Sequence, residues 1–403
     1  MRTRSGRFAT IDGLRGIAIL LVVWFHVWQI TWQSAVIPVV NLSLQPLAET
    51  GFIGVALFFF ISGFVLMLPY AQAHAERMPP PSLRQFVLRR FFKIVPSYVL
   101  CIAALIAIGY QTYPNALAAL RDVAFHLLFV HDWFAATSGS IDGVMWSLGT
   151  EVQFYVLFPP IAYAFVRRPA MVALAMLAVA IGWRAWCVAS DHYFLSQRMQ
   201  QLPAYLDFFA AGMAGAWAYT AIALHRPTIA RRTWAFTALS IAGLAGIVAV
   251  AGAYYDHRFD PEWPNRSEPY LRPALALAAL AAALGSLFAI RAFQRVLANP
   301  ALLFLAAISY NLYLWHQPIA RELERLHVPP IATADPHDDR VWQIAFWFVA
   351  IPAAIAISAA LTYAFEHPLM RWGKRFETRR SRAAQRRHAE QRHAELVEAP
   401  PQS

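Results

Sequence analysis

The sequence predicts an all-α polytopic membrane protein. Of its 403 residues, 59% are hydrophobic and only 14% are charged, whereas soluble domains carry about a quarter of charged residues. The hydrophobic residues are concentrated in repeated runs of about 20 residues, the length that a helix needs to cross a bilayer. A soluble core would not produce this pattern, so we expect the chain to be embedded in lipid.

Ten apolar runs predict ten transmembrane helices within a membrane domain at residues 1–372. The stretch 121–133 is too short to cross the bilayer, so a re-entrant or interfacial helix is expected there. The basic tail at 373–403 is expected to be helical or disordered. The predicted spans are 11–28, 51–70, 92–110, 146–166, 169–189, 203–224, 234–255, 271–290, 300–320 and 341–364.

The distribution of charge predicts the orientation of these spans. Loops on the cytosolic side of a membrane carry an excess of lysine and arginine. With the N-terminus inside, the cytosolic segments hold most of the 34 Lys and Arg residues, and the opposite loops are rich in Asp and Glu. Both termini, including the basic tail, are therefore expected in the cytosol.

Soluble-enzyme and nucleic-acid-binding classes do not fit. The sequence has no nucleotide-binding, serine-hydrolase or zinc-protease motif, and its +11 charge suits a basic membrane face better than a nucleic-acid partner. Cys101 and Cys187 predict neither a disulfide framework nor a CxxC site. No further ligand shares the spacing of His126, His131 and Asp132, so we predict no metal site and expect packing or surface histidines.

The first predicted helix carries ionisable residues at membrane depth. Arg15 and His26 are eleven residues apart, so they share one helix face about 16 Å apart, with Asp12 on the same stripe. Such groups are costly in lipid and are functional candidates. The alternatives are that Arg15 extends to the lipid headgroups and that His26 is a buried hydrogen-bonding residue.

Four further polar residues lie within or at the ends of predicted spans. Glu151 and Gln153 lie near the outer end of one helix, His316 lies toward the outer side of another, and Glu366 lies at the inner end of the last. A carboxylate needs a partner to remain charged at membrane depth. Each residue therefore has two possible roles, one in binding or catalysis and one in hydrogen bonding between helices.

The chain resembles the acyltransferase 3 family in six blocks that occur in the family's order over about residues 10–372. Members of this family are integral-membrane enzymes that O-acylate bacterial surface glycans. The resemblance therefore implies a location in the bacterial inner membrane. The blocks are IDGLRGIAILLVVWFH, GVALFFFISGFVL, LRRFFKIVP, MWSLGTEVQFYVLFP, ISYNLYLWHQPI and FEHPL.

The resemblance also implies roles for individual residues. The family's arginine and histidine of the first helix fall on Arg15 and His26, and its Arg-x-x-Arg pattern ends here in Lys93 instead of arginine. Lysine keeps the charge but lacks the planar fork that binds phosphate through two contacts. We expect Arg15, Arg89, Arg90 and Lys93 to bind the donor. His26 and Glu151 are expected to be catalytic, and Asp12, Gln153, His316 and Glu366 are candidates for acceptor binding or structural roles.

The implied reaction moves an acyl group, most commonly acetyl, from cytosolic acyl-CoA to a hydroxyl of a polysaccharide, lipopolysaccharide or related glycan. Acyl-CoA would be a co-substrate, so no permanently bound cofactor is expected. His26 would act as general base on the hydroxyl or would itself carry the acyl group. No oligomeric state is predicted.

Two other classes fit the same polar residues. A secondary transporter could relay protons through buried Arg, His and Glu, although the matched halves of many transporters are not visible in this sequence. A non-catalytic partner of a glycan-assembly complex would not need His26. Consumption of acyl-CoA with a glycan acceptor distinguishes the enzyme from both.

Overall fold

The computed structural model describes residues 8–34, 36–37, 42–191, 197–331, 333 and 335–373. The predicted tail, except residue 373, lies outside these described residues. Within them the chain is almost entirely helical, which confirms the predicted all-α class. Two short strands, Val36–Ile37 and Leu42–Ser43, form one antiparallel pair with Val36 opposite Ser43.

The described chain contains ten helices of 20 residues or more and four shorter ones. Long helices satisfy all of their backbone N–H and C=O groups internally, as lipid requires. The helices, in chain order, are α1 Ala9–Thr31, α2 Gln45–Glu49, α3 Ile53–Ala75, α4 Leu83–Ala107, α5 Ala116–Leu127, α6 Trp146–Arg167, α7 Pro169–Asp191, α8 Leu206–His225, α9 Pro227–Ala230, α10 Thr233–Asp256, α11 Trp263–Phe288, α12 Arg291–Leu297, α13 Pro300–Arg325 and α14 Arg340–Leu361.

Short irregular helices join or extend these elements. A π-helix at Thr362–Glu366 follows α14 directly, and the chain is helical again as far as Gly373. The predicted short helix near 121–133 corresponds to α5 and a 3₁₀ turn at His131–Trp133. The other 3₁₀ turns are Gln197–Gln200, Leu202–Tyr205 and Pro336–Asp338.

The predicted number of spans is too high by the criteria of length and apolar composition. Among the described residues, seven helices meet these criteria, or eight if α12 and α13, which meet at a 45° bend, form one span. The helices α6 and α8 form, as predicted, but they do not meet them. Glu151 and Gln153 lower the hydropathy of α6, and Asp207 lowers that of α8, because these helices carry polar groups into the interior.

The start of the third predicted span is wrong. The helix α4 begins at Leu83 rather than near residue 92, because its first turns are amphipathic and basic and not apolar. Three prolines, at positions 79–81, disfavour helix directly before it. As a result, Arg89, Arg90 and Lys93 lie on α4 itself and have positions fixed by the helix.

The helix α1 packs tightly against α3 and α13. A Cβ atom at Gly16 would lie 2.4 Å from the carbonyl oxygen of Leu302 on α13. On the other side, a Cβ atom at Gly54 of α3 would lie 2.5 Å from the carbonyl oxygen of Ala18. Helices in lipid associate through small residues that let their backbones approach closely. These two contacts hold α1 at the centre of the site described below.

Two buried ion pairs connect the helices farther from α1. Arg184 of α7 donates to Asp207 of α8 at 2.7 Å, and both side chains are almost completely buried. Arg272 pairs with Glu268 within α11, and the hydroxyl of Tyr254 also donates to Glu268. Breaking one partner of such a pair leaves an uncompensated charge, so each pair constrains its helices strongly.

We predict that Gly16→Ala lowers the thermal unfolding midpoint of the purified protein in detergent. The added methyl group meets backbone atoms of α13 that cannot rotate away, and overpacking of this kind costs about 1–3 kcal/mol. The matched control is Gly182→Ala on α7, where a Cβ atom meets nothing within 4 Å and alanine favours the helix. Equal midpoints for the two variants would contradict this account of α1.

Candidate functional site

A cavity of about 580 Å³ runs between α1, α3, α4, α6 and α13. At the end where α1 and α4 begin, it is lined by four basic residues, Arg15, Arg89, Arg90 and Lys93. We call this the basic end. Along α3 the lining extends from Val65 to Val55, which is ten residues or about 15 Å of helix. The opposite, deep end is therefore about 15 Å from the basic end.

The cations at the basic end differ in their surroundings. Arg15 lies 3.5 Å from the carboxylate of Asp12, one helical turn away. Lys93 donates to the buried carboxylate of Glu366, which also accepts from the amide of Asn311 at 2.9 Å. The charge of Lys93 is therefore largely neutralised by Glu366. Glu366 joins α4, α13 and the π-helix, which is a structural role for one of the candidate residues.

Glu151 lies on the cavity wall between the two ends. Its Oε1 atom accepts hydrogen bonds from the hydroxyls of Ser62 on α3 and Tyr155 on α6. The guanidinium of Arg90 lies 5.3 Å from the centre of the Tyr155 ring. The structure thus places Glu151 with two hydroxyl groups and shows no hydrogen bond from it to His26 among the described residues.

The deep end of the cavity is closed by Ser147 and Tyr313. Their hydroxyl oxygens are 2.6 Å apart, and each also lies 3.1 Å from the carbonyl oxygen of Val144, which accepts. The Tyr313 ring lies 6.0 Å, centre to centre, from the ring of His316 on the next turn of α13. His316 therefore lies directly behind the wall of the cavity.

His316 and His26 form a hydrogen-bonded pair between α13 and α1. The Nδ1 atom of His26 and the Nε2 atom of His316 are 3.0 Å apart. His316 is buried and His26 retains some exposed surface. Helix positions sixteen residues beyond the start of α13 and seventeen beyond that of α1 meet here, so both histidines lie well inside the helix bundle.

The partners of the two rings determine which nitrogen carries hydrogen. The Nδ1 atom of His316 lies 2.9 Å and 2.8 Å from two backbone carbonyl oxygens, which only accept, so this nitrogen is the donor. In the neutral ring, Nε2 of His316 is then an acceptor. The Nδ1 atom of His26 donates to it and to the carbonyl of Val22 at 2.9 Å. The Nε2 atom of His26 is left with its lone pair available.

Gln153 has a structural role on the opposite face of α6. Its side-chain amide donates to the carbonyl of Phe129 and to the carboxyl of Asp132, both at 2.8 Å, and its oxygen accepts from the indole of Trp133 at 2.9 Å. These bonds attach the 3₁₀ turn to α6. Nearby, the buried rings of His126 and His131 are stacked with centres 3.9 Å apart. They are packing histidines, and the described residues contain no group of three metal-ligand side chains.

Asp142 is buried in the loop before α6. It is 2% exposed, and neither carboxyl oxygen has a hydrogen-bond partner among the described residues. Burial raises the pKa of Asp142 to about 8, which the N–H groups of Gly143 and Val144 oppose only weakly. The side chain is therefore mostly protonated at neutral pH, since the charged form would lose its hydration.

Sequence reasoning missed several uncharged residues of the site. Ser62, Tyr155, Ser147 and Tyr313 all lie in sequence blocks identified above, but hydroxyl residues in apolar runs give no distinctive pattern. Only their position on the cavity wall reveals them. The pairing of His316 with His26 was also missed, because the two residues are 290 positions apart.

The described helices and cavity define a multi-pass membrane protein that has a paired-histidine site behind a basic-ended cavity. The profile of the acyltransferase domain family matches residues 8–363. The chain therefore belongs to the acyltransferase 3 family. This confirms the family resemblance in the six sequence blocks.

Several characterised proteins are similar to this chain. It is 23% identical over 397 residues to the peptidoglycan O-acetyltransferase OatA of Listeria monocytogenes, covering 90% of this chain and 56% of that protein. It is 24% identical over 332 residues to the O-acetyltransferase OatA of Staphylococcus aureus, covering 77% and 50%. The chain thus spans about half the length of both OatA proteins.

A third relative is matched over more of its length. It is BcsY of Komagataeibacter xylinus, described as a membrane-bound transacylase. The identity is 28% over 330 residues, covering 78% of this chain and 73% of BcsY. No solved structure shows significant similarity to this chain. The comparisons therefore support the family, and the geometry of the site comes from the present structure.

We predict that Asp142→Asn changes how stability depends on pH. The folded pKa of about 8 lies above the value of about 3.9 in an unfolded chain. As pH rises from about 4 to about 8, the unfolded chain loses this proton first, so the wild type becomes less stable. The asparagine side chain of the variant has no proton to lose in this range.

Thermal midpoints measured at pH 5, 6, 7 and 8 test this prediction. The midpoint of Asp142→Asn minus that of the wild type should increase steadily with pH. The matched control is Asp256→Asn, because Asp256 is exposed at the end of α10. A difference for Asp142→Asn that is constant over the whole range would show that the side chain does not titrate in this window.

Proposed function

We propose that this protein is a membrane-bound O-acyltransferase that moves an acyl group, most simply acetyl, from cytosolic acyl-CoA to a hydroxyl of a cell-surface glycan. The observation that carries the proposal is the histidine pair, which lies directly behind the deep end of a cavity whose other end is basic. Membership of the acyltransferase family and the printed names of the OatA relatives support the same reaction.

The basic end suits the phosphates of the donor. Arginine side chains bind phosphate through short, charge-assisted hydrogen bonds, and Arg15, Arg89 and Arg90 line this end. Lys93 is already bound by Glu366, so the three arginines carry most of this role. A donor held there would place its thioester toward Tyr313, about 15 Å farther along the cavity.

His26 would act as the general base. Its Nε2 lone pair takes the proton of the acceptor hydroxyl while the hydroxyl oxygen attacks the thioester carbonyl. An acyl–oxygen bond forms and the acyl–sulfur bond breaks, and the departing thiolate of CoA takes the proton back from His26. Throughout, the Nδ1–H of His26 donates to His316, which stabilises the ring while it is positively charged.

The proposed orientation places the basic end at the cytosolic face of the bacterial inner membrane. Acyl-CoA and its charged phosphates would then stay on the side where they are made, which agrees with the excess of lysine and arginine in the predicted cytosolic segments. The acceptor hydroxyl would approach the partly exposed ring of His26 from the opposite direction. The two substrates would meet without either one crossing the membrane completely.

We predict that His26→Ala lowers acyl transfer by at least about 10²-fold, the usual contribution of a general base. The measurement is incorporation of radiolabelled acetyl from acetyl-CoA into glycan in inside-out membrane vesicles from cells that make the protein. His225→Ala, at an exposed histidine that ends α8, is the matched control and should retain full activity. Wild-type activity of His26→Ala, in protein that is inserted normally, would rule out this mechanism.

His316→Ala should reduce kcat by about tenfold to hundredfold, the value of one hydrogen bond to a charged group. The KM for acetyl-CoA should change little, because His316 lies behind the cavity wall. Initial rates in the same vesicles over a range of acetyl-CoA concentrations separate the two constants. A large rise in KM at unchanged kcat would instead mean that His316 contributes to donor binding.

A further inference from the structure

The middle of the cavity contains a polar group whose hydrogen bonding is incomplete. Glu151 lies on α6 four residues from Ser147 at the deep end and four residues from Tyr155, or about 6 Å of helix in each direction. Most of the wall at this level is apolar, with Phe58 and Leu148 among its residues. A carboxylate in such surroundings requires donors to offset its lost hydration.

The two oxygen atoms of Glu151 are in different environments. Both hydroxyl donors, from Ser62 and Tyr155, bond to Oε1. No donor among the described residues bonds to Oε2. Ser62 and Tyr155 come from two helices, so they fix the carboxylate plane and leave Oε2 as an oriented acceptor on the cavity wall. An ionised carboxylate has about four lone-pair sites, so Glu151 retains capacity for a ligand donor.

The nearest basic residues do not fill this capacity. No arginine or lysine lies within 4 Å of Glu151 in the described structure, since Arg15 pairs with Asp12 and Lys93 with Glu366. Arg90 instead lies over the Tyr155 ring. A bound molecule that satisfies Oε2 would therefore need a neutral N–H or O–H donor at the middle of its length.

We propose that Oε2 of Glu151 accepts a hydrogen bond from an amide N–H of the pantetheine arm of acyl-CoA. This rests on the proposed function, since it takes acyl-CoA as the donor. The pantetheine arm joins the phosphates to the thioester and carries two amide groups, and Glu151 lies between the arginines and the histidine pair. Glu151 is then a donor-binding residue that sets how far the thioester reaches toward His26.

The test combines variants of Glu151 with changes in the donor. The donors are acetyl-CoA and two analogues in which one or the other pantetheine amide is replaced by an ester, which removes a single N–H. Their Kd values are measured by calorimetry on the purified full-length protein in detergent, without acceptor. For the wild type, one analogue should bind about tenfold to hundredfold more weakly than acetyl-CoA, the value of a hydrogen bond to a charged group.

Coupling between the two changes identifies the contact. Glu151→Ala should weaken acetyl-CoA by about the same factor, with no further loss for the affected analogue, because the same hydrogen bond is removed twice. Glu151→Gln keeps a carbonyl acceptor and should fall between the wild type and Glu151→Ala. Arg90→Ala is the matched control, and its effect should multiply with that of either ester.

Each contrary result has a distinct meaning. If the losses from Glu151→Ala and from both esters multiply fully, Glu151 does not accept an amide N–H and the inference is wrong, while acyl-CoA remains the donor. If acetyl-CoA does not bind to the wild type at all, the proposed donor is wrong and the inference falls with it. Glu151→Gln preserves the test if Glu151→Ala does not fold.

Discussion

The hydrogen bond between His26 and His316 is the interaction on which the site depends. It joins α1 to α13 at a depth where no water is available to replace a lost partner. The backbone carbonyls beside His316 determine its hydrogen position, and that in turn determines the hydrogen position of His26. The chemistry of His26 is therefore controlled by the helical backbone of α13, which is rigid compared with any side chain.

The close contacts of α1 make this hydrogen bond possible. Two imidazole rings can lie 3.0 Å apart only if their helices approach closely, and Gly16 permits that approach on the α13 side. Gly54 does the same on the α3 side, which also supplies Ser62 to the cavity. The glycines in the first two sequence blocks thus serve the site indirectly, by setting the separation of the backbones that carry it.

Much of the fold and part of the site could be predicted from the sequence because the relevant signals are local. Apolar runs revealed all ten long helices, and the spacing within one helix placed Arg15 and His26 on the same face. The partners of Lys93 and His26 could not be predicted, because they lie 273 and 290 positions away and depend on helix packing. Ser62 and Tyr155 were missed for a different reason, since an uncharged hydroxyl is equally common in cavities and in packed cores.

The π-helix at Thr362–Glu366 makes the end of the last helix sensitive to length rather than to composition. The amide of Asn311 donates to Thr362 and Glu366 together, at 2.9 Å each, and this places both on the inner face of the helix. Removing one residue here would restore an ordinary α-turn and rotate everything that follows by about 100°. Met370 and Gly373 would then leave the rim of the cavity. A single-residue deletion in this turn is therefore more disruptive than most substitutions in it, because it changes the helical phase of the whole segment.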